Sequence, residues 1–475
     1  MQWNRRRWCG GNLGLVAGVA GLPLAGVAAD GAKVHSTDKF GTPWRPFSAQ
    51  SPWNCRPIRP VLGNWEIPRD SYFPTVELGR YSTGVFIGSD DDKPMRVQGL
   101  PGEKGLWDPD AEAHRPDIVI PRWPADTLPA TGTDGHADIV DPRAGMIHSF
   151  FKLKSIDGEW RAKQYAWTRL DGRGWGDPAH YFQGARAAAV PTMGGLIRTH
   201  EMTDGDTMFR HALSMSLAFS GLKANPGYVF PATSADDRLN ANTGEIPEGA
   251  LLMLPPDFDT RSLANDKLRK IAETLKVYGA YVVDRNVGTP FAIYAEIGSG
   301  ARPHSSAWDN RVAGDLDRMR SALRQVMSTA GFLDGHGQPV ELMQPLNLLS
   351  MRGGWRIERG EAQVRYDTWQ QAVLLEQAKS DTVISCGSNR NISMVSWAKP
   401  VAGRNYRLTA RAGNQARLRL QLNAGSGVAW DSGELADGKS VEFRWPEAVT
   451  RARLVARTMA DGDSWVGADL RQVSA

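Results

Sequence analysis

Three short stretches of the chain gather side chains able to move protons. In the first, Asp134-Gly135-His136-Ala137-Asp138, an aspartate and a histidine stand together at the start of a strand. Such a pair can work as acid and base or ligate a metal, and its plain alternative is a loop in which both satisfy backbone groups. In the second, Arg198-Thr199-His200-Glu201 is followed ten residues later by His211. The turn Thr203-Asp204-Gly205-Asp206 between them allows Glu201 and His211 to meet on adjacent elements. A glutamate bonded to a histidine, with Arg198 nearby, suits proton transfer or the binding of a substrate carboxylate. Here the alternative is Glu201 as a turn cap, and the spacing is not the HExxH of a zinc protease. In the third, Asp284-Arg285-Asn286 ends an apolar strand and Glu296 closes the next. Polar residues at such strand ends face clefts in many proteins, and a surface Asp–Arg pair is the alternative.

Composition narrows the classes. The 475 residues carry a net charge of +4, part of it in Arg5, Arg6 and Arg7 near the N-terminus. No Lys/Arg-dense stripe is present, so nucleic acid is not an expected partner. Gly 50 and Pro 29 favour turns and short strands, and Trp 17 is a surplus of flat apolar rings. No P-loop, GxGxxG, GxSxG elbow or cysteine-based metal pattern occurs at a recognisable spacing. No cofactor and no metal are expected.

The N-terminal residues read as a leader. Asn4 to Trp8 is a charged stretch, Gly14 to Val27 is a short apolar run, and Val27-Ala28-Ala29 fits the small-residue cleavage rule. The run is too short to span a bilayer, and no later segment does so. A secreted or periplasmic location is expected, with residues 1–29 as signal peptide. Cys9 would be lost with the leader. Cys55 and Cys386 would remain, as a disulfide between domains or as two separate thiols.

The elements that must position these residues are mostly strands. Short apolar runs at 84–88, 117–121, 137–141 and 147–152 alternate with turn signals. Two helical stretches stand out. One follows Asp259-Thr260-Arg261-Ser262 and ends near Val277, with Leu268, Ile271, Leu275 and Tyr278 at helical spacing. The other runs from Asp315 to Ala330 on Leu316, Met319, Leu323 and Val326. Gly279 stops the first helix ahead of a buried strand, and Phe291–Glu296 is a further strand. Residues 335–350 read as a linker. Beyond it, period-two strands at 406–412, 416–422, 441–445 and 451–457 carry the signature of an antiparallel β-sandwich. The fold class expected is mainly β with a few helices (α+β). A strand-rich catalytic-type domain fills 30–345, and a β-sandwich fills 346–475.

Two resemblances add to this reading. Trp355, Ala372–Glu376, the phrase Pro400-Val401-Ala402-Gly403-Arg404-Asn405-Tyr406-Arg407-Leu408-Thr409-Ala410 and the closing Trp465–Leu470 resemble the jelly-roll carbohydrate-binding modules of bacterial glycan-active enzymes. The succession Gly184–Pro191, Gly195–Glu201, Phe209–Leu213, Tyr228–Thr233, Tyr278–Asp284 and Tyr294–Glu296 resembles a group of exported bacterial proteins found with carbohydrate-related modules. The resemblance implies glycan processing by association.

On that footing the expected partner is a polysaccharide, and the expected function is an exported glycoside hydrolase, with a polysaccharide lyase acting on a uronic-acid-containing glycan as the alternative. Hydrolysis needs two carboxyl groups, here Glu201 with Asp134 or Asp284, oriented by His211 and Arg198. Elimination at a uronic acid needs a base, here His211 or His136, and a group that neutralises the sugar carboxylate. Arg198, Arg186, Trp175, Tyr228 and Glu296 are the residues expected to bind substrate. Trp167 and Tyr181 are further rings, and core packing competes for each ring. The remaining class is a non-catalytic glycan-binding or matrix protein.

Overall fold

The computed structural model describes residues 39–473, apart from 306, 388–391, 394 and 426. The expected leader and Cys9 lie outside the described residues. The fold is strand-rich with two α-helices among the described residues, α1 (Asp266–Val277) and α2 (Asn310–Ala322).

A seven-stranded mixed sheet centres the N-terminal part, with Leu213–Ala218 parallel to Ala280–Asn286 in its middle. Alternation along Ala280–Asn286 sends side chains to two different cores. Ala280 and Val282 pack with Leu268, Ile271 and Leu275 of α1 and Leu316 and Met319 of α2. Tyr281 and Val283 pack on the other face with Trp53, Trp175 and Phe47. Six- and four-stranded sheets enclose a further core of Val97, Ile120, Ile139, Phe150 and Tyr165, and a small three-stranded sheet joins Arg56–Pro57 to Phe332–Leu333 and Pro339–Val340.

Helix α1 starts at Asp266 because the Asn265 side chain accepts the Leu268 N–H at 3.0 Å; the Asp259–Ser262 stretch is a turn before it. It ends at Gly279, whose φ is +75° and where a Cβ would meet the Leu252 carbonyl oxygen at 2.6 Å. Helix α2 departs from the expected 315–330. Asp309 caps it by accepting the Arg311 N–H at 2.8 Å, and it stops at Leu323. Arg324–Ser328 is instead a strand between Leu251–Met253 and Val61–Leu62, so Val326 belongs to the sheet and not to a helical stripe.

The C-terminal part pairs two five-stranded antiparallel sheets over one core of Leu375, Leu408, Leu418, Leu420, Leu454 and Leu470. The expected linker is not loose chain. Leu346, Leu348 and Leu349 are buried in that core, and the Asn347 side chain accepts the Leu470 N–H at 2.8 Å and donates to the Ala468 carbonyl at 2.9 Å. Cys55 and Cys386 are both buried and no disulfide joins them. Burial pushes the Cys55 thiol up to about 12, which makes it inert as a nucleophile. No helix among the described residues is long and apolar enough to cross a membrane.

The two parts are locked together by buried polar contacts. Arg352 forks onto Asp110, with its Nε 3.1 Å from Oδ1 and 2.6 Å from the Asp110 carbonyl oxygen. Both side chains are almost wholly excluded from solvent. Burial works against both charges, but the Arg352 guanidinium holds Asp110 below its ordinary value. The Trp167 ring stacks on Trp369 at 4.5 Å and donates to Thr368 Oγ1 at 3.1 Å. Removing one partner of a buried pair strands the other. Arg352→Ala is therefore expected to lower stability by about 3–5 kcal/mol, read as a shift of the urea unfolding midpoint. A shift equal to that of an exposed Arg407→Ala control would contradict the lock.

Candidate functional site

A cleft of about 120 Å³ opens between the Trp44–Asn54 segment and the stretch from Met193 to His211. Its floor depends on a glycine. At Gly195 φ is +66°, and a Cβ would sit 2.4 Å from the Trp53 ring. The chain then runs beside Tyr294–Glu296, with the Ile197 N–H donating to the Tyr294 carbonyl and the Glu296 N–H to the Ile197 carbonyl. A 3₁₀ turn, Thr199–Met202, follows.

Glu201 folds back on that turn, and Oε2 accepts the Arg198 N–H at 2.8 Å. The same carboxylate meets His211 Nε2 at 3.1 Å. The other ring nitrogen, Nδ1, lies 2.9 Å from the Ala212 carbonyl oxygen. Burial disfavours charge on both partners, yet their contact outweighs it: His211 is held above its ordinary 6.5 and Glu201 below its ordinary 4.5. The pair is a carboxylate and an imidazolium. Glu201 thus caps the turn and engages His211 at once.

Arg198 is held by Glu296 Oε2 at 3.1 Å and by the Pro43 carbonyl at 3.0 Å. Glu296 Oε2 also accepts from Thr199 N and Oγ1 at 2.8 and 2.9 Å. Glu296 therefore anchors the turn from beneath. Two other carboxylates line the cleft, Asp204 paired with Lys270 at 2.6 Å and Asp206 paired with Arg210 at 2.7 Å.

His200 is the residue that reading the sequence left out of the candidate set. Its Nε2 lies 3.1 Å from the Trp44 carbonyl oxygen, and its ring meets the Trp44 ring edge-on at 5.3 Å. A carbonyl accepts only, so Nε2 carries the proton and Nδ1 the lone pair. Burial lowers the His200 pKa from 6.5, which keeps the ring neutral near pH 7. Its position between Thr199 and Glu201 was visible, but the Trp44 contact spans 156 residues and no local pattern announces it.

The remaining candidates form a second cluster, apart from the cleft. Arg186 Nη1 lies 3.0 Å from Asp284 Oδ2, and its guanidinium covers the Tyr294 ring at 3.6 Å. Asp284 and Asp236 both accept the Arg285 N–H, at 3.1 and 2.8 Å. Burial and then Asp284 push Asp236 up to about 8, so the two carboxyls hold a proton between them. The charge of Asp134 bears on Asp284 from the loop above. His136 is 2% exposed, bonds the Phe150 carbonyl, and is driven down to about 3 by burial and by Arg186. None of Asp134, His136, Arg186 or Asp284 lines the cleft. The pairing of Glu201 with Asp134 or Asp284 is therefore corrected: Asp284 is held by Arg186, Asp134 bonds Thr133 on its own loop, and neither carboxyl lines the cleft. His136, with no face toward the cleft, is corrected in the same way.

The expected rings are elsewhere too. Trp175 is 0% exposed, stacked on Trp53 at 5.1 Å, with its Nε1 donating to the Ala188 carbonyl. Tyr228 packs against both the sandwich core and the Trp53 core. Neither presents a face to the cleft. Trp44 and Trp53 line it instead. No group of three or more His, Cys, Asp or Glu among the described residues is placed to hold a metal.

Fold and cleft together define a strand-rich protein with a histidine–carboxylate site and an attached β-sandwich. No protein-family profile matches the chain, and no curated protein matches it. Similar solved structures include accessory secretory protein 1, 2 and 3 of Streptococcus pneumoniae, at 12% identity over 27% of this chain and 96% of that one, with TM-score 0.20. BiXyn10A CBM1 matches at 10% identity over 28% of this chain and 97% of that one, TM-score 0.20. TmCBM61, solved with β-1,4-galactotriose, matches at 12% over 26% and 90%, TM-score 0.17. Carbohydrate-binding modules are thus among the structural neighbours, over about a quarter of the chain.

The Glu201–His211 pair has a defined pH signature. The folded-state pKa of His211 is raised, so its share of stability is complete below 6.5 and fades as pH climbs through the raised value. The share of Glu201 is complete above 4.5 and fades as pH falls through its lowered value. His211→Gln should therefore cost most stability near pH 5–6 and clearly less near pH 9, measured as the difference in Tm from the unmodified chain. A cost independent of pH would show that the ion pair contributes nothing.

Proposed function

We propose that the protein is an exported enzyme that cleaves a uronate-containing polysaccharide in this cleft by β-elimination. The observation that carries the proposal is His200, a neutral imidazole whose Nε2–H is committed to the Trp44 carbonyl while Nδ1 retains its lone pair. Elimination needs a base for the C5 proton and cationic groups for the sugar carboxylate. Arg45 lines the same cleft and supplies guanidinium charge, and Arg210 stands there with Asp206. Trp44 offers a ring for an apolar sugar face.

In this mechanism His200 Nδ1 takes the C5 proton. The electron pair forms the C4–C5 double bond, the C4–O bond breaks, and the proton is returned to the leaving oxygen. His211 is a poorer base, because both its nitrogens are bonded and Glu201 keeps it protonated. Glu201 and His211 are positioning residues that hold the Thr199–Met202 turn.

A second reading is hydrolysis, favoured by the presence of Glu201 and Asp206 in one cleft. Glu201 is ionised, and a carboxylate has about four lone-pair sites, so it retains capacity to activate water. The reading is weakened because the Asp206 carboxylate is tied to Arg210 at 2.7 Å and Asp204 to Lys270 at 2.6 Å, so neither second carboxyl in the cleft is uncommitted.

The test is product analysis on acidic polysaccharides. His200→Gln should reduce unsaturated-uronate absorbance by about 10²–10⁴-fold. The rate for the unmodified protein should rise with pH through a value below 6.5 and then level, because the base works deprotonated and burial lowers its pKa. New reducing ends without that absorbance, lost in Glu201→Gln and kept in His200→Gln, would establish hydrolysis instead. Binding without any cleavage would leave a glycan-holding protein.

A further inference from the structure

The surface carries a second feature with the chemistry of a sugar platform, and it shares no lining residue with the cleft. Trp308 is 60% exposed and Phe73 is 50% exposed, with their rings 5.4 Å apart edge to face. Large rings held in water need a reason when they are fixed in place. Trp308 is fixed. Its Nε1–H donates to Asn310 Oδ1 at 2.8 Å, and one face stacks on His304 at 4.8 Å. His304 is itself pinned, since its Nδ1 accepts the Asp309 N–H at 3.1 Å. A ring immobilised before binding loses little entropy when a ligand stacks on it.

Beside these rings runs a groove of about 460 Å³ along the strand Thr75–Glu77, the outermost strand of the seven-stranded sheet. Arg80 and Arg302 line it with His304. Among the described residues neither arginine has a carboxylate within ion-pair distance. The one acid lining the groove, Glu77, is occupied: its Oε1 accepts the N–H groups of Gly79 and Tyr81 at 2.9 and 3.2 Å. The groove therefore combines a fixed aromatic face with two guanidiniums against one carboxylate, a net positive charge.

We propose that the Phe73–Trp308 platform and the Arg80–Arg302 groove form a second binding site that holds a segment of carboxylated polysaccharide outside the cleft. The ring takes an apolar sugar face and the guanidiniums take uronate carboxylates, so charge and stacking select one class of polymer. A peptide added to the sheet edge is the less suited occupant, because Thr75–Glu77 offers only three residues of ladder. The ligand class rests on the acidic-glycan reading of the cleft; the site itself does not.

Affinity electrophoresis of the full chain tests this, with polygalacturonate and alginate in the gel as acidic probes and dextran as the neutral one. A His200→Gln background keeps the probe from being cut. Retardation by an acidic probe and not by dextran is expected. Trp308→Ala should weaken it roughly fivefold or more, the worth of one aromatic stacking contact. The double variant Arg80→Glu/Arg302→Glu should weaken it further, to the retardation that the cleft alone supports, and both variants should keep the Tm of the parent. No retardation by either acidic probe, equal retardation by dextran, or retardation unmoved by both variants overturns the site. The cleft reading fails separately, if His200→Gln leaves product formation intact while retardation persists.

Discussion

The strands Leu213–Ala218 and Ala280–Asn286 lie side by side in the middle of the large sheet, covered on both faces. Side chains in the middle of that pair are mostly apolar, with the small Ser214 and Ser216 as exceptions, because water reaches neither face. Charged side chains are placed where those strands begin and end. His211 stands two residues before the first strand, Asp284 and Arg285 lie in the last turns of the second, and Glu296 lies two residues past Phe291–Tyr294. The two clusters are consequences of this one constraint, acting at different strand ends.

Confinement also decides the charge states. Inside, Asp236, Glu248 and Asp284 face two guanidiniums, Arg186 and Arg285, and burial raises all three carboxyls. Burial and neighbouring carboxyls favour the neutral form, so three acids can share two guanidiniums. At the cleft the balance is reversed: Glu201 has an imidazole and a backbone N–H against it and loses its proton. Equal side-chain types thus take opposite protonation states from their partners.

The sequence made the fold class and most strands legible, because alternation and turn residues act over a few positions. Ala137–Asp141 and Arg451–Arg457 have the ends that their patterns dictate. Helix α2 was misread where Leu323 and Val326 extend a helical spacing by chance; its real punctuation is Asp309, a cap that lies six residues ahead of the expected start. The Glu201–His211 contact was readable, since one turn separates the partners. His200 against Trp44 and Asp236 against Asp284 were not, because each joins segments brought together only by the sheet. The interior placement of His136 was equally hidden, as nothing local distinguishes a strand start that faces solvent from one under a loop.

The tryptophans show how little composition alone assigns. Trp53 and Trp175 stack in the core and Trp167 and Trp369 stack where the sandwich meets the N-terminal part, so a surplus of rings serves packing first. Burial supplies the strongest driving force available to a large ring, and a ring left outside forgoes it. Trp397 follows the same logic, donating its Nε1–H to the Ala232 carbonyl across that junction. Trp308 departs from it, because hydrogen bonding and stacking hold its plane steady while most of its area stays in water. Fixed geometry and exposure together separate a ring that binds something from one that packs, and neither property can be read from the residue type.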